Sequence, residues 1–511
     1  MYVDMEGRYM RETGQLPVRI AIVGCGRISD LHVRAYQHEP RAEVYAVCDT
    51  DGALAQGRAD EWGIHKVYTD YDQLLDDPEV DAVELLTPTR LHAQMTIKAA
   101  KAGKHVSVQK PMALNLPDAQ AMIKACAEAN VVLKICENYV FYPPLVRAKH
   151  WIEEGKIGIP LNVNIRMIGA NQGGWHIPPD AWKWRLEEAK IAGGLQTFDH
   201  GHHMFASAHF LLGEIDKIHG WIQSHDGIVD APATFHWNYK HNKAQGSVQF
   251  IHAPELEIPS KYYSNDEWFE IVGSRGIIWI NQCTASIRGE LPALSIYHQG
   301  KTETVPLSSQ EIDWQAGFDG ALQNFVDAIE GRDAPKLSGE QGLSILSYAL
   351  AGQKSHKYER PVYIEEMLDT NAERVYKQRK KRDIEKLRGP KRSWWDNFFG
   401  NHDSLAKECP GLMEAFPRRF DPEKVPGWEA KISVEIDGEY GGEWTYTIQN
   451  GVLDVKRGLD ANAGLHMIVD AGMWAAILKG KSTAQSAFLQ GKLKLQGNIE
   501  WALSLKKAFD L

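Results

Sequence analysis

The stretch Val18–Ser29, VRIAIVGCGRIS, constrains the fold of this chain more than any other. An apolar run of strand type meets Gly24-Cys25-Gly26, and a helix-like segment opens directly after it. Gly24 permits the tight turn, and Gly26 lets the backbone come close to a ligand. Ser29 stands where a third glycine is usual, and it is small enough for helix and strand to stay packed. The new helix offers unpaired N–H groups and a positive dipole end, which together suit a pyrophosphate. Arg27 and Ile28 lie in the same turn, with Arg27 placed to contact a phosphate.

Short apolar strands then alternate with amphipathic helical segments through residue 139. The strands read Val18–Val23, Val44–Cys48, Ala82–Leu86, Val106–Val108 and Val131–Ile135. This alternation predicts a parallel, doubly wound α/β sheet over residues 18–139. Asp49 lies 23 residues beyond Gly26, at the end of the second strand. A carboxylate there accepts hydrogen bonds from a ribose and repels a 2′-phosphate, which favours NAD over NADP. Open α/β sheets bind ligands at the carboxyl ends of their strands. Thr87-Pro88-Thr89 with His92 occupies one such end, and Gln109-Lys110-Pro111 another. Thr87, Pro88 and His92 are therefore expected to contact the cofactor. Lys110 at that edge would bond a substrate hydroxyl and favour its ionisation, or contact the nicotinamide ribose.

From about residue 160 the texture changes to longer alternating runs: Leu161–Ile168, Ile218–Gln223, Thr234–Tyr239, Ala244–Ile251, Phe269–Val272 and Ile277–Ile280. These predict a mostly antiparallel, open-faced sheet in an α+β domain over 140–366, closed by helices Gly317–Glu330 and Gly339–Lys357. Within it, Asp199-His200-Gly201-His202-His203 follows Gly193-Gly194. In a helix Asp199 and His203 share one face, and a carboxylate beside an imidazole suits proton transfer. No second acidic cluster has a recognisable ligand spacing, so no metal is expected. Trp175, Trp182 and Trp184 serve equally as sugar-stacking or core residues.

A chain of 511 residues calls for two or three domains, and 43% hydrophobic with 24% charged residues rules out global disorder. A net charge of −10 argues against nucleic acid as a partner. The six cysteines include no C-x-x-C pair, which predicts reduced core thiols in a cytoplasmic protein. Residues 1–17 read as a polar extension without a signal-peptide core, and no apolar stretch is long enough to span a bilayer. Residues 367–393 read as a linker or helix; its 374–392 stretch carries ten Lys/Arg against two acids and ends at Gly389-Pro390. A third, small α+β domain is expected from about Trp394 to 511, with strands Ala430–Ile436, Glu443–Ile448, Val452–Val455 and Leu465–Val469.

Four stretches resemble the glucose–fructose oxidoreductase, inositol dehydrogenase and MocA (Gfo/Idh/MocA) family: VRIAIVGCGRISDLH, LLTPTRLHAQMTIKAAKAGKHVSVQKP, AGGLQTFDHGHH and FDGALQNFVDAIEGRDAP. The resemblance spans about residues 18–366. It implies a Rossmann domain, an open-faced sheet domain, a tightly held nicotinamide cofactor, a polyol or sugar substrate and a homo-oligomer, dimer or tetramer. It implies that Lys110 and His203 act on the substrate hydroxyl, with His203 as acid/base and Asp199 orienting it or contacting the substrate. It places Asn138, Trp182, Arg185 and His202 toward the substrate. Gln109 departs from the family's glutamate and removes one charge near the nicotinamide. Residues 394–511 resemble the sterol-carrier-protein fold, through Gly442-Glu-Trp-Thr, Asn450-Gly-Val-Leu-Asp-Val and Ala487-Phe-Leu-Gln-Gly491. That implies a twisted sheet around an apolar ligand tunnel, or a filled core used for assembly. The readings open at this point are an NAD-dependent sugar, glycoside or cyclitol dehydrogenase, a cofactor-recycling sugar enzyme, and an NAD-sensing lipid-binding scaffold.

Overall fold

The structure, a computed structural model, describes residues 2–3, 9–10 and 17–509 apart from 178, 286, 370 and 389–402. Of the expected extension over 1–17, it describes the two-residue ladder of Tyr2–Val3 with Tyr9–Met10, and Pro17. Gly389-Pro390 and the expected domain start near Trp394 lie outside the described residues. The chain divides into two compact units, Met1–Lys380 and Lys381–Leu511.

The first unit opens with six parallel strands: β1 (Val18–Val23), β2 (Ala42–Cys48), β3 (Lys66–Tyr68), β4 (Ala82–Leu85), β5 (His105–Gln109) and β6 (Leu133–Cys136). Their spatial order is β3-β2-β1-β4-β5-β6, the Rossmann order, so the sheet reverses direction of growth between β1 and β4. Helices α1 (Ser29–Gln37), α2 (Gly52–Trp62), α3 (Tyr71–Leu75), α4 (Thr89–Lys101) and α5 (Leu116–Glu128) link consecutive strands. β4 is buried at every residue, as strands covered on both faces must be. Asp51 and Asp70 cap α2 and α3 by accepting backbone N–H bonds, which fixes where each helix begins.

The second sheet of this unit has nine strands. They are β7 (Pro160–Gly169), β8 (Ile215–Ile222), β9 (Ala233–Tyr239), β10 (Gln245–His252), β11 (Asn265–Gly273), β12 (Gly276–Ile280), β13 (Leu294–His298), β14 (Lys301–Thr304) and β15 (Val362–Tyr363). Their order is β14-β13-β12-β11-β7-β10-β9-β8-β15. The central β7 runs antiparallel to β11 but parallel to β10, so the sheet is mixed and not wholly antiparallel. Alternating hydrophobicity encodes which face is buried, not which way the neighbour runs. On β7, Val163, Ile165 and Met167 point into the core while Asn162, Asn164 and Arg166 lie half-buried on the other face.

Helix α6 (Pro143–Glu153) leads into β7, and between β7 and β8 lie α7 (Pro179–Ala192) and α8 (Gln196–Leu212). The helix expected near Asp199 begins three residues earlier because Asp230 accepts the Leu195, Gln196 and Thr197 N–H groups at 2.9, 2.6 and 3.0 Å. A Cβ at Gly194 would press on the ends of the Asp230 and Gln353 side chains, so the glycine leaves room for that cap. Helices α9 (Gln315–Ile329) and α10 (Gly339–Tyr358) complete the unit, α10 opening on a Ser338/Gln341 capping box. The basic run is helical over α11 (Ala372–Arg388), and Arg379 ties it to Asp216 by two 2.6 Å bonds.

The second unit holds five strands: β16 (Ala430–Asp437), β17 (Gly442–Gln449), β18 (Val452–Arg457), β19 (Leu465–Asp470) and β20 (Leu493–Gly497). The order is β18-β17-β16-β19-β20, parallel only between β16 and β19. Helix α12 (Ala471–Leu478) is buried at all eight residues and starts where Asp470 accepts the Met473 N–H. The interior is filled by Phe416, Tyr446, Trp474 and Phe509, with the Phe416 and Phe509 rings stacked 4.5 Å apart. All six cysteines of the chain are buried free thiols.

Candidate active site

The glycine turn behaves as its sequence implies. Gly24 has φ +98°, and a Cβ there would sit 2.8 Å from the Leu86 carbonyl oxygen. A Cβ at Gly26 would meet nothing within 4 Å, so the space beside it is open. Ser29 closes the turn by donating to the Gly26 carbonyl at 2.5 Å. Asp49 accepts the Cys25 and Asp51 N–H groups at 2.8 and 3.0 Å, which holds the β2 end against the turn. A cavity of about 550 Å³ runs from this turn into the second sheet domain of the unit. Gly24, Gly26, Arg27, Ile28, Asp49, Thr87 and Pro88 line one end; Lys110, Asn138, Trp182, Arg185, Asp199 and His203 line the other.

Two couples meet on that wall. Lys110 donates to the Asp199 carboxylate at 2.6 Å and to the Asp199 carbonyl at 3.2 Å. Burial works against ionisation of Asp199, but Lys110, His200 and Arg185 outweigh it and hold the carboxyl well below its usual range. His203 makes its bond elsewhere: Nδ1 lies 2.7 and 2.8 Å from the two Glu137 oxygens. The expected pairing of Asp199 with His203 is therefore corrected. Asp199 serves Lys110, and Glu137 of the segment after β6 orients His203. Burial and Lys110 press the His203 pKa well below its ordinary value, so the ring is neutral at pH 7. The Tyr139 ring stacks on it at 4.4 Å and fixes its plane.

Two other expected contacts are redirected. His92 does not line the cavity: its ring nitrogens lie 3.0 Å from the Pro111 carbonyl and 2.8 Å from that of Thr87. It ties the Thr87 loop to the Lys110 loop. His202 also faces away, buried, with Nε2 3.8 Å from Glu137. The Asn138 Nδ2 group is buried at the cavity wall without a hydrogen-bond partner among the described residues, as suits a substrate-facing amide.

Several contacts of the wall carry no local signal in the sequence. His200 Nε2 lies 2.7 Å from Asn265 Nδ2 on β11. Buried Glu188 on α7 accepts the Arg90 N–H at 2.9 Å, which ties α7 to the start of α4. Arg27 lies over the Trp175 ring at 4.8 Å, joining the glycine turn to the loop after β7. Behind Lys110, Gln109 accepts its N–H at 2.7 Å and reaches His32 Nε2 at 3.1 Å, whose Nδ1 is 3.1 Å from buried Glu84. His32, Glu84 and Cys136 lie close enough to hold a metal, yet Glu84 already takes bonds from Tyr36 and Ser107 at 2.6 and 3.0 Å.

A dinucleotide turn facing a wall of ion-paired acid/base groups is the architecture of a nicotinamide-dependent oxidoreductase. Residues 18–136 match the oxidoreductase family with NAD-binding Rossmann fold, and residues 145–279 match the GFO/IDH/MocA C-terminal domain. Residues 413–510 match the SCP-2 sterol transfer family. The chain carries both domains of the Gfo/Idh/MocA oxidoreductases and, later in its sequence, an SCP-2 domain. It is 27% identical over 358 residues to myo-inositol 2-dehydrogenase of Thermotoga maritima, spanning 69% of this chain and all of that one. It is 27% identical to scyllo-inositol 2-dehydrogenase (NAD(+)) of Bacillus subtilis, over 68% of this chain and 96% of the relative. An oxidoreductase of Agrobacterium radiobacter, solved with NAD+, L-tartaric acid and magnesium, shares the fold at TM-score 0.59 and 22% identity, covering 68% of this chain and 99% of that one.

Proposed function

We propose that the enzyme oxidises a secondary alcohol of a sugar, glycoside or cyclitol with NAD, and reduces the ketone in reverse. The convergence of the Lys110–Asp199 and Glu137–His203 couples on one cavity wall carries this reading. The open space at Gly26, the adjacent start of α1 and the Asp49 carboxylate fit a dinucleotide with an unphosphorylated ribose. Bound NAD would supply the hydride acceptor. Lys110 would donate a hydrogen bond to the substrate oxygen and stabilise charge growing there. Asp199 keeps that ammonium in place. His203 would take the hydroxyl proton on the nitrogen that Glu137 leaves free. Asn138, Arg185 and Trp182 would hold the remaining hydroxyls and a ring face, a role for which the relatives' names supply the substrate class. A homo-oligomer built on the half-buried outer face of the nine-stranded sheet goes with this reading, as does an apolar ligand in the SCP-2 domain.

The test is His203→Ala, assayed by NADH absorbance across inositols, free sugars and aryl glycosides. Turnover is expected to fall by about 10²–10⁴-fold with NAD affinity kept. Unchanged turnover would remove His203 from the reaction. The Arg27–Trp175 contact at the cofactor end favours a second reading, in which NAD stays bound and is recycled. Product formation without free NADH would select it.

A further inference from the structure

We propose that Glu137 accepts the proton that His203 passes on as it takes one from the substrate, with the imidazole as the relay between them. The inference rests on the dehydrogenase reading and assigns a role that the Lys110, Asp199 and His203 set leaves open.

Nδ1 of His203 sits between both oxygens of Glu137, so that nitrogen is fully engaged. Nε2 is the nitrogen left toward the cavity that His203 lines. The Tyr139 ring covers one face of the imidazole at 4.4 Å. Glu137 is fully buried and accepts one further bond, from the Tyr139 N–H at 3.0 Å. The charged and titratable groups facing it are His202 and His203 from α8, Lys110 and Asp199 across the cavity wall, Cys136 from β6 and Cys283 beyond β12. No lysine or arginine bonds it among the described residues. A buried carboxylate without a cation is costly, and His203, whose Nδ1 faces both its oxygens, is the group placed to hand it a proton. Burial accordingly raises the Glu137 pKa while it lowers that of His203. The imidazole alone is a poor resting place for a proton, and the carboxylate behind it is a better one.

The balance is as follows. The alcohol C–H leaves as hydride to the nicotinamide ring, and the alcohol O–H proton goes to His203 Nε2. The Nδ1 proton passes to Glu137. The alcohol becomes a carbonyl, the imidazole ends neutral in its other tautomer, and the carboxylate ends as a carboxyl. After product leaves, water in the cavity takes the Nε2 proton and the carboxyl proton returns to Nδ1.

Glu137→Gln keeps the shape and a hydrogen-bond acceptor but cannot take the proton. In the full-length protein we expect NAD affinity within about twofold and kcat lowered by about 10²-fold. The rising limb of the kcat–pH profile should move to lower pH by a unit or more, because a lone buried imidazole is all that remains to titrate. Glu137→Asp should restore the limb and part of the turnover. A packing role alone would lower the plateau and leave the limb in place, and a carboxylate that only orients the ring by its charge would move the limb but leave a single proton in flight in mixtures of light and heavy water; either result overturns the proposal. The couple also has a readout without turnover: a low-field imidazole N–H resonance of His203, present in the native chain and lost in Glu137→Gln. Its absence from the native chain overturns the relay. A panel that yields neither NADH nor product, with the resonance intact, overturns the dehydrogenase reading and the relay with it, whereas NADH formation with an unmoved limb overturns the relay alone.

Discussion

The two units bury different things. The first draws Glu84, Glu137, Glu188, Asp266, Glu267, His92, His202 and His203 out of solvent. In the second, the buried polar side chains among the described residues are Ser433, Thr445 and Ser482, and the centre is aromatic. Charge is expensive to bury, so a fold accumulates it only where geometry or chemistry needs it. The contrast separates a unit organised around a reacting space from one organised around packing. It also bears on the expected apolar tunnel. Phe416, Tyr446, Trp474 and Phe509 occupy the middle of the second unit, so an apolar ligand would enter by moving rings.

Lys110→Met breaks the contrast most sharply. It removes the donor to substrate and strips Asp199 of its cation, so turnover should fall by about 10³-fold while calorimetry of the second unit is unmoved. Survival of the rate would show that the buried charges are architectural. Trp474→Ala is the converse. Deleting a fully buried indole should destabilise the second unit by about 3–5 kcal/mol, read by denaturation, with NADH formation unchanged. Coupled loss of activity would show that the packing unit contributes to the chemistry.

Acid gives the smallest and most graded effect. Burial pushes His200 and His202 down to about 3, and His203 falls well below its ordinary value. Unfolding lets these rings take protons they refuse in the fold, so they contribute stability above about pH 6.5 that is lost as pH falls through the folded values. Asp199, with its lowered pKa, acts in the same direction below about pH 4. Burial raises Glu267 to about 7, so it opposes the loss between about pH 7 and 4, and the raised Glu137 acts in the same direction. The net fall should therefore steepen below about pH 4. In a calorimetric series the first unit's transition should drop there ahead of the second unit's.

What was legible in the sequence follows the range of the interactions. The turn at Gly24–Ser29, the strand ends carrying Asp49 and Lys110, and the helix through Asp199 and His203 are local patterns, and each lies where its spacing implied. The partner of His203 was not legible. Glu137 is 66 residues away and meets it only through the packing of α8 on the segment after β6. His92 looked like a ligand because its position at a strand end is right, but two backbone carbonyls consume both nitrogens. The parallel β7/β10 pair was hidden for a related reason, since period-two alternation is blind to strand direction.

Gln109 changes meaning in the structure. Its amide points an N–H at His32 Nε2, so that nitrogen accepts through its lone pair, while Nδ1 lies 3.1 Å from Glu84 without forming a hydrogen bond. A glutamate at 109 has no N–H to give, so the same lone pair would face a carboxylate instead of a donor. The amide uses both its ends: its oxygen takes the Lys110 N–H and its nitrogen feeds the ring behind, so one neutral side chain links the sheet interior to the backbone of Lys110.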